Sequence, residues 1–214
     1  MNLFGWLEDP RARRLALQVG AGVVVVALIV VGAWAWYRSQ ESRGEAALAS
    51  ATLLVQQATP QAGPDARAKA IAALEVVLHD HGRFSGAAQA AYQLGNLQYQ
   101  AGDYAAARAA YEIALAKGAG GSLRTLSASG VGYTWEAQKN YASAVTAYDA
   151  AARGLGPKQF FFEEALLDLA RAQALAGKPA EARATYERLL KDAPETRRAE
   201  DIRGRIATLG PVAK

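Results

Sequence analysis

"LGNLQYQAGDYAAARAAYEIAL", residues 94 to 115, decides how the chain folds. It holds seven alanines, three tyrosines and two glycines, and almost nothing that could do chemistry. The stretch recurs as "VGYTWEAQKNYASAVTAYDAAA", residues 131 to 152, and as "LARAQALAGKPAEARATYERLL", residues 169 to 190. In register, Gly95, Gly132 and Ala170 correspond, then Ala107, Ala144 and Ala182, then Tyr111, Tyr148 and Tyr186, at offsets of 37 and 38 residues. Each copy breaks at its middle, at Gly102-Asp103, Lys139-Asn140 or Gly177-Lys178, which predicts two helices joined by a tight turn. Antiparallel helices approach closely only where small side chains face each other. The tyrosine one turn later fills the space between adjacent units. A single pair cannot bury its apolar face, so pairs stack and the core becomes continuous. The expected fold class is all-α, with a helical solenoid as its body.

Composition agrees. The 214 residues suffice for one domain of ordinary size plus an appendage, and are 51% hydrophobic but only 8% aromatic. Alanine dominates the apolar count, and it loses no side-chain entropy in a helix. There is no cysteine, which excludes disulfides, thiol catalysis and a cysteine-type zinc site. The net charge of +4 is small and the arginines are mixed with acids, so nucleic-acid binding is not expected.

The sharpest shift in composition is "LALQVGAGVVVVALIVVGAWAWY", residues 15 to 37, with Gln18 its one polar side chain and no charge. As a helix it spans roughly 35 Å, enough to cross a hydrocarbon core of about 30 Å. Trp34, Trp36 and Tyr37 close it, where amphipathic rings favour the headgroup region. A cleaved signal peptide is the alternative, with Ala33 and Ala35 at a cleavage-like spacing. Such a core is only about 7–15 residues long, and tryptophans crowd this junction, so a retained single-pass anchor is expected. Arg11, Arg13 and Arg14 before the span outnumber Arg38 and Arg43 after it. That places residues 1–14 in the cytoplasm and the rest beyond the membrane. The preceding "LFGWLEDP" either lies along the inner surface or is a free tip.

The repeat resembles the tetratricopeptide repeat. Leu94-Gly95, Ala107, Tyr111 and Ala114 match that family's pattern in one unit. Gly132, Ala144, Tyr148 and Ala151 match it in the next, and Ala182, Tyr186 and Pro194 in the last. The departures are alanine at 170 and about three to four extra residues per unit, seen as "GAGGS" and "GLGPKQ". A looser upstream pair, Glu41 to Thr59 and Pro64 to Asp80, puts Ala70 and Leu74 at the small and large positions. Four units are expected within 38–196, near 45–82, 88–121, 125–158 and 163–196. Residues 197–214 would form a capping helix and tail, with Ile202, Ile206 and Leu209 facing inward.

What this resemblance implies about a site is an inner groove lined by the first helices. Carried onto this chain, the inward positions are Gln89, Tyr92, Asn96 and Tyr99, then Leu126, Ser129, Tyr133 and Glu136, then Glu164, Leu167, Arg171 and Ala174. The protein-binding residues expected among them are Gln89, Tyr92, Asn96, Tyr99, Ser129, Tyr133, Glu136 and Arg171. Tyrosines and amides suit an adaptable polypeptide surface; padding of the inner curve is the alternative role for the rings. The clamp for terminal carboxylates found in cytosolic chaperone-tail binders is not expected. Tyr92 and Gly130 replace two of its polar residues, and Glu164 and Asp168 stand where it needs cations.

No reactive constellation emerges. His79 and His81 leave a helix about 200° apart with no third ligand nearby, so a helix C-terminus before Gly82 suits them better than a metal. Glu163 and Glu164 suit a helix N-terminus better than acid–base catalysis. Phe160, Phe161 and Phe162 cannot all face one interior. Gly118, Gly120 and Gly121 lack a phosphate-cradling spacing. Neither catalysis, a cofactor nor a small-molecule substrate is expected.

As an architecture, one anchor, four units and a cap resemble the ancillary subunit of the SecYEG translocon, a bacterial inner-membrane family. That resemblance implies a periplasmic repeat domain, with the translocon and a membrane-anchored periplasmic chaperone of the prolyl-isomerase type as partners. A scaffold for another envelope machine, in outer-membrane or cell-wall assembly, is the alternative.

Overall fold

The computed structural model describes residues 10–210, and among them every regular element is helical. The chain divides into two compact units, one ending at Arg43 and the other beginning at Gly44. Helix α1, Pro10–Gln57, supplies the first unit and, from Gly44 onward, the opening helix of the second. The residues of "LFGWLEDP" before Pro10 and the tail after Gly210 lie outside the described residues.

In the first unit every leucine, valine, isoleucine and tryptophan from Leu15 to Trp36 is exposed, as is Tyr37. No soluble core claims this surface. Among the described residues, α1 is the one helix long and apolar enough to cross a membrane. Arg38 stacks over the Trp34 ring at 5.6 Å, just beyond the most apolar stretch.

In the second unit, a 3₁₀ turn (Pro60–Ala62) leads to α2 (Gly63–His81), α3 (Ala87–Gln100), α4 (Tyr104–Ala116) and α5 (Gly121–Ala137). Then come α6 (Tyr141–Ala152), α7 (Phe162–Leu175), α8 (Pro179–Asp192) and α9 (Ala199–Thr208). Consecutive helices pack as antiparallel neighbours from α2 to α9, and α3, α5 and α7 also touch in series. The first helices of the pairs therefore form one layer.

The turns obey the breakpoints. Gly102 and Gly177 take φ of 82° and 74°, the left-handed conformation that ends a helix, and Lys139 adopts it at 60° without being glycine. Asp103 and Asn140 then cap the next helix, their side-chain oxygens accepting from Ala106 N at 3.0 Å and Ser143 N at 3.1 Å. The third copy has no side-chain cap and starts α8 with Pro179.

Ring against glycine is the recurring packing unit. A Cβ on Gly95 would lie 2.6 Å from the Tyr111 ring, and one on Gly130 would lie 2.7 Å from the same ring. Tyr111 is thus clasped between its own unit and the next. Gly132 meets the Tyr148 ring in the same way, closer still. Ala70 and Leu74 are fully buried in the core of the first pair. There Phe84, unremarked in the sequence, is the plug: Cβ atoms on Gly44 or Gly86 would each come within 2.5 Å of its ring. At the other end Ile202 is buried, and Ile206 and Leu209 pack against the same core.

Candidate functional site

The expected groove residues fall into two groups. On α3, Gln89 is exposed, while Tyr92, Asn96 and Tyr99 are half-buried. Asn96 Oδ1 accepts a hydrogen bond from the Tyr111 hydroxyl at 2.8 Å. The Tyr92 ring leans on Tyr111 at 5.9 Å and Tyr99 on Tyr104 at 5.3 Å. These rings are supported from behind yet not sealed over, so α3 presents amide and aromatic surface on a fixed base.

The second group is a closed polar network spanning α5 and α7. The Tyr133 hydroxyl donates to Asp168 Oδ2 at 2.6 Å, and the Tyr148 hydroxyl donates to Glu136 Oε2 at 2.9 Å. Arg171 bridges both acids, donating to Asp168 Oδ1 at 2.6 Å and forming an ion pair with Glu136. Tyr133, Glu136 and Arg171 are therefore brought together, with Asp168 and Tyr148 as the partners that sequence reasoning did not assign. A Tyr and a Glu in one first helix, with Asp and Arg three residues apart in the next, is the signal that could have found them. Ser129 is buried beside Gly130 and lies apart from this network.

Electrostatics follow from burial. Desolvation lifts Asp168 from the ordinary carboxylate value of 3.8 to about 6, outweighing the hydrogen bond from Tyr133. Burial also pushes the phenols of Tyr111, Tyr133 and Tyr148 well above their usual range. They remain neutral hydrogen-bond donors. Glu163 and Glu164 open α7 and are tied to the cap: Thr196 donates to Glu163 at 2.7 Å and Arg198 to Glu164 at 2.7 Å.

Two cavities line this face. One of about 470 Å³ lies among Val55, Ala58, Arg67, Gln93, Asn96, Leu97 and Gln100. The other, of about 120 Å³, includes Tyr92, Asn96, Tyr111, Leu126, Ser129, Tyr133 and Glu164. Asn96 belongs to both. Elsewhere, Phe162 is buried, Phe161 half-buried and Phe160 90% exposed, so the three phenylalanines do diverge. His79 and His81 occupy the last turn of α2, with His79 Nδ1 2.7 Å from Asp80 Oδ1. No group of three metal-ligating side chains occurs among the described residues.

The arrangement holds a polar and aromatic surface on rigid helices, which can bind a polypeptide by hydrogen bonds and ring contact. Comparison with solved structures finds the same architecture. Two chains described as Podosopora anserina putative kinesin light chain nearly identical TPR-like repeats, one of them a point variant, superpose with a TM-score of 0.59 each. They are 17% and 16% identical, with 79% of this chain covered and 85% and 86% of theirs. At such identity the likeness is one of fold. No curated protein matches the sequence. Family models described as tetratricopeptide repeat match residues 64–122 and 92–160, and another so described matches 164–196. Together these take in more than half of the sequence, and they coincide with the stacked pairs and the ring-against-glycine packing: the chain belongs to the tetratricopeptide repeat family.

Proposed function

We propose that this is a membrane-anchored protein–protein interaction module of the bacterial inner membrane, acting as an ancillary translocon subunit. It would link SecYEG to a membrane-anchored periplasmic chaperone and to emerging secreted chains. The observation that carries the binding role is the open row on α3, where Gln89, Tyr92, Asn96 and Tyr99 are left accessible while the rings behind them are locked. The apolar helix α1 supports the anchoring role, since a tether raises the effective concentration of the repeats at any partner in the same membrane. The translocon assignment rests on the resemblance of the whole layout. The mechanism is capture and tethering rather than catalysis. A scaffold for another envelope assembly machine is the second reading, favoured by the same anchor and repeats.

The test is photo-crosslinking from position 89, whose side chain is exposed and bears no internal bond that an unnatural residue would break. In intact inner membranes the expected products are adducts with translocon subunits or a periplasmic chaperone. Adducts confined to outer-membrane or cell-wall assembly proteins would transfer the protein to the second reading. Protease should reach the repeats in spheroplasts with the anchor retained. Protection until the membrane is opened would reverse the assigned orientation.

A further inference from the structure

The larger cavity has a definite chemistry. Its apolar wall is Val55, Ala58 and Leu97, and its polar residues are Arg67, Gln93, Asn96 and Gln100. Two amide oxygens are already engaged: Asn96 Oδ1 accepts from the Tyr111 hydroxyl at 2.8 Å and Gln93 Oε1 from the Thr52 hydroxyl at 3.4 Å. Their NH₂ groups are the ends left to donate. No carboxylate lines the cavity, and among the described residues Arg67 has no ion-pair partner. Its Nε is buried without an acceptor. The cation of the polar network behaves differently, since Arg171 is neutralised by both Glu136 and Asp168. A partly buried guanidinium without counter-charge costs stability, and a carboxylate supplied from outside would offset that cost through charge-assisted hydrogen bonds.

We infer that this end of the inner face receives an acidic side chain carried on a polypeptide lying along the stack, a conclusion that rests on the reading of the face as a polypeptide-binding surface. A side chain fits better than a chain terminus because the cavity does not close the path. Asn96 lines both it and the smaller cavity, whose walls also include Tyr92, Leu126 and Glu164. The smaller space, about 120 Å³, suits an aliphatic side chain against the tyrosine rings. Charge sets the direction: Arg67 has no acid beside it here, whereas around the smaller cavity Glu164 is already paired with Arg198, and Arg171 with Glu136 and Asp168, so among the described residues no free cation awaits an acid there. The recognised pattern is an acidic residue followed or preceded at short range by an aliphatic one.

The experiment uses the full chain in lipid nanodiscs and three fluorescent heptapeptides of alanine and valine. The first has a central glutamate and an amidated end, the second a central glutamine and an amidated end, the third a central glutamine and a free end. Anisotropy should show the glutamate peptide binding about tenfold or more tighter than the other two. Arg67→Gln should erase that preference and Arg67→Lys should keep part of it, with far-UV circular dichroism unchanged. Equal affinity for all three peptides, or a preference that survives Arg67→Gln, overturns the inference. Selection of the free-end peptide overturns the side-chain assignment. If Tyr92→Ala weakens all three peptides while Arg67→Gln alters none, the groove stands and the acidic pocket falls. If none of the peptides binds, both fall.

Discussion

At the scale of single residues, the fold depends on absent side chains. Gly132 leaves room for the Tyr148 ring and Gly95 and Gly130 for the Tyr111 ring, so a methyl group there has nowhere to go. Gly132→Ala should destabilise the chain by about 1–3 kcal/mol through overpacking. Gly204, on α9 with open space around it, should gain about 0.5–1 kcal/mol on the same change. Paired urea titrations check the opposed signs. Lys139 offers the converse case, since it holds φ at 60° where its counterparts are glycine. Lys139→Gly should raise stability by about 0.5–1 kcal/mol, because removing left-handed strain outweighs the added chain entropy. The register of Tyr111, Tyr148 and Tyr186 was legible because each copy repeats the same spacing. Phe84 was not, because its pocket is assembled from Gly44 and Gly86, and nothing in a linear pattern announces that two distant glycines face one ring.

At the scale of elements, the polar network joins one first helix to the next, and its acid gives it a pH response. The folded chain holds a proton on Asp168 up to about pH 6, whereas the unfolded chain releases it near 3.8. The group's contribution to stability is therefore fully present below 3.8 and is lost as pH climbs through about 6. Relative to Asp168→Asn, the wild type should gain melting temperature on moving from pH 7.5 to 5.5, and taking the difference removes the titration of groups common to both chains. A difference constant across that range would show that Asp168 ionises normally. From sequence, Asp168 and Glu164 were read as repelling charges. The structure ties Asp168 to Tyr133 and Arg171, and Glu164 to Arg198. Helix positions were legible from periodicity and breakpoints. The pairings of Tyr133 with Asp168, Glu136 with Arg171 and Glu164 with Arg198 span 34 or 35 residues, and the offset between neighbouring units that brings them together is a tertiary quantity.

At the scale of the molecule, apolar burial is uneven along the stack. The core around α2 and α3 and the core around α7, α8 and α9 are each built from many buried residues, among them Leu74, Leu94, Leu166 and Leu189. Between them, among the described residues, the middle core has Ala107, Tyr111, Val131 and Ala147 buried with Tyr92, Tyr99, Leu115 and Trp135 packed partly exposed against it, and α5 buries mostly serines, threonines and glycines. Shearing one layer over another costs least where least apolar surface is exposed by the slip. Amide hydrogen exchange should therefore be faster across α4 and α5 than across α2–α3 or α7–α8, and equal protection in all three would refute the uneven burial as a source of local opening. Arg67 on α2 and Asp168 on α7 lie on opposite sides of this middle junction. A stack opened there would leave two halves, each keeping its own leucine core, with the cationic and anionic ends on separate pieces.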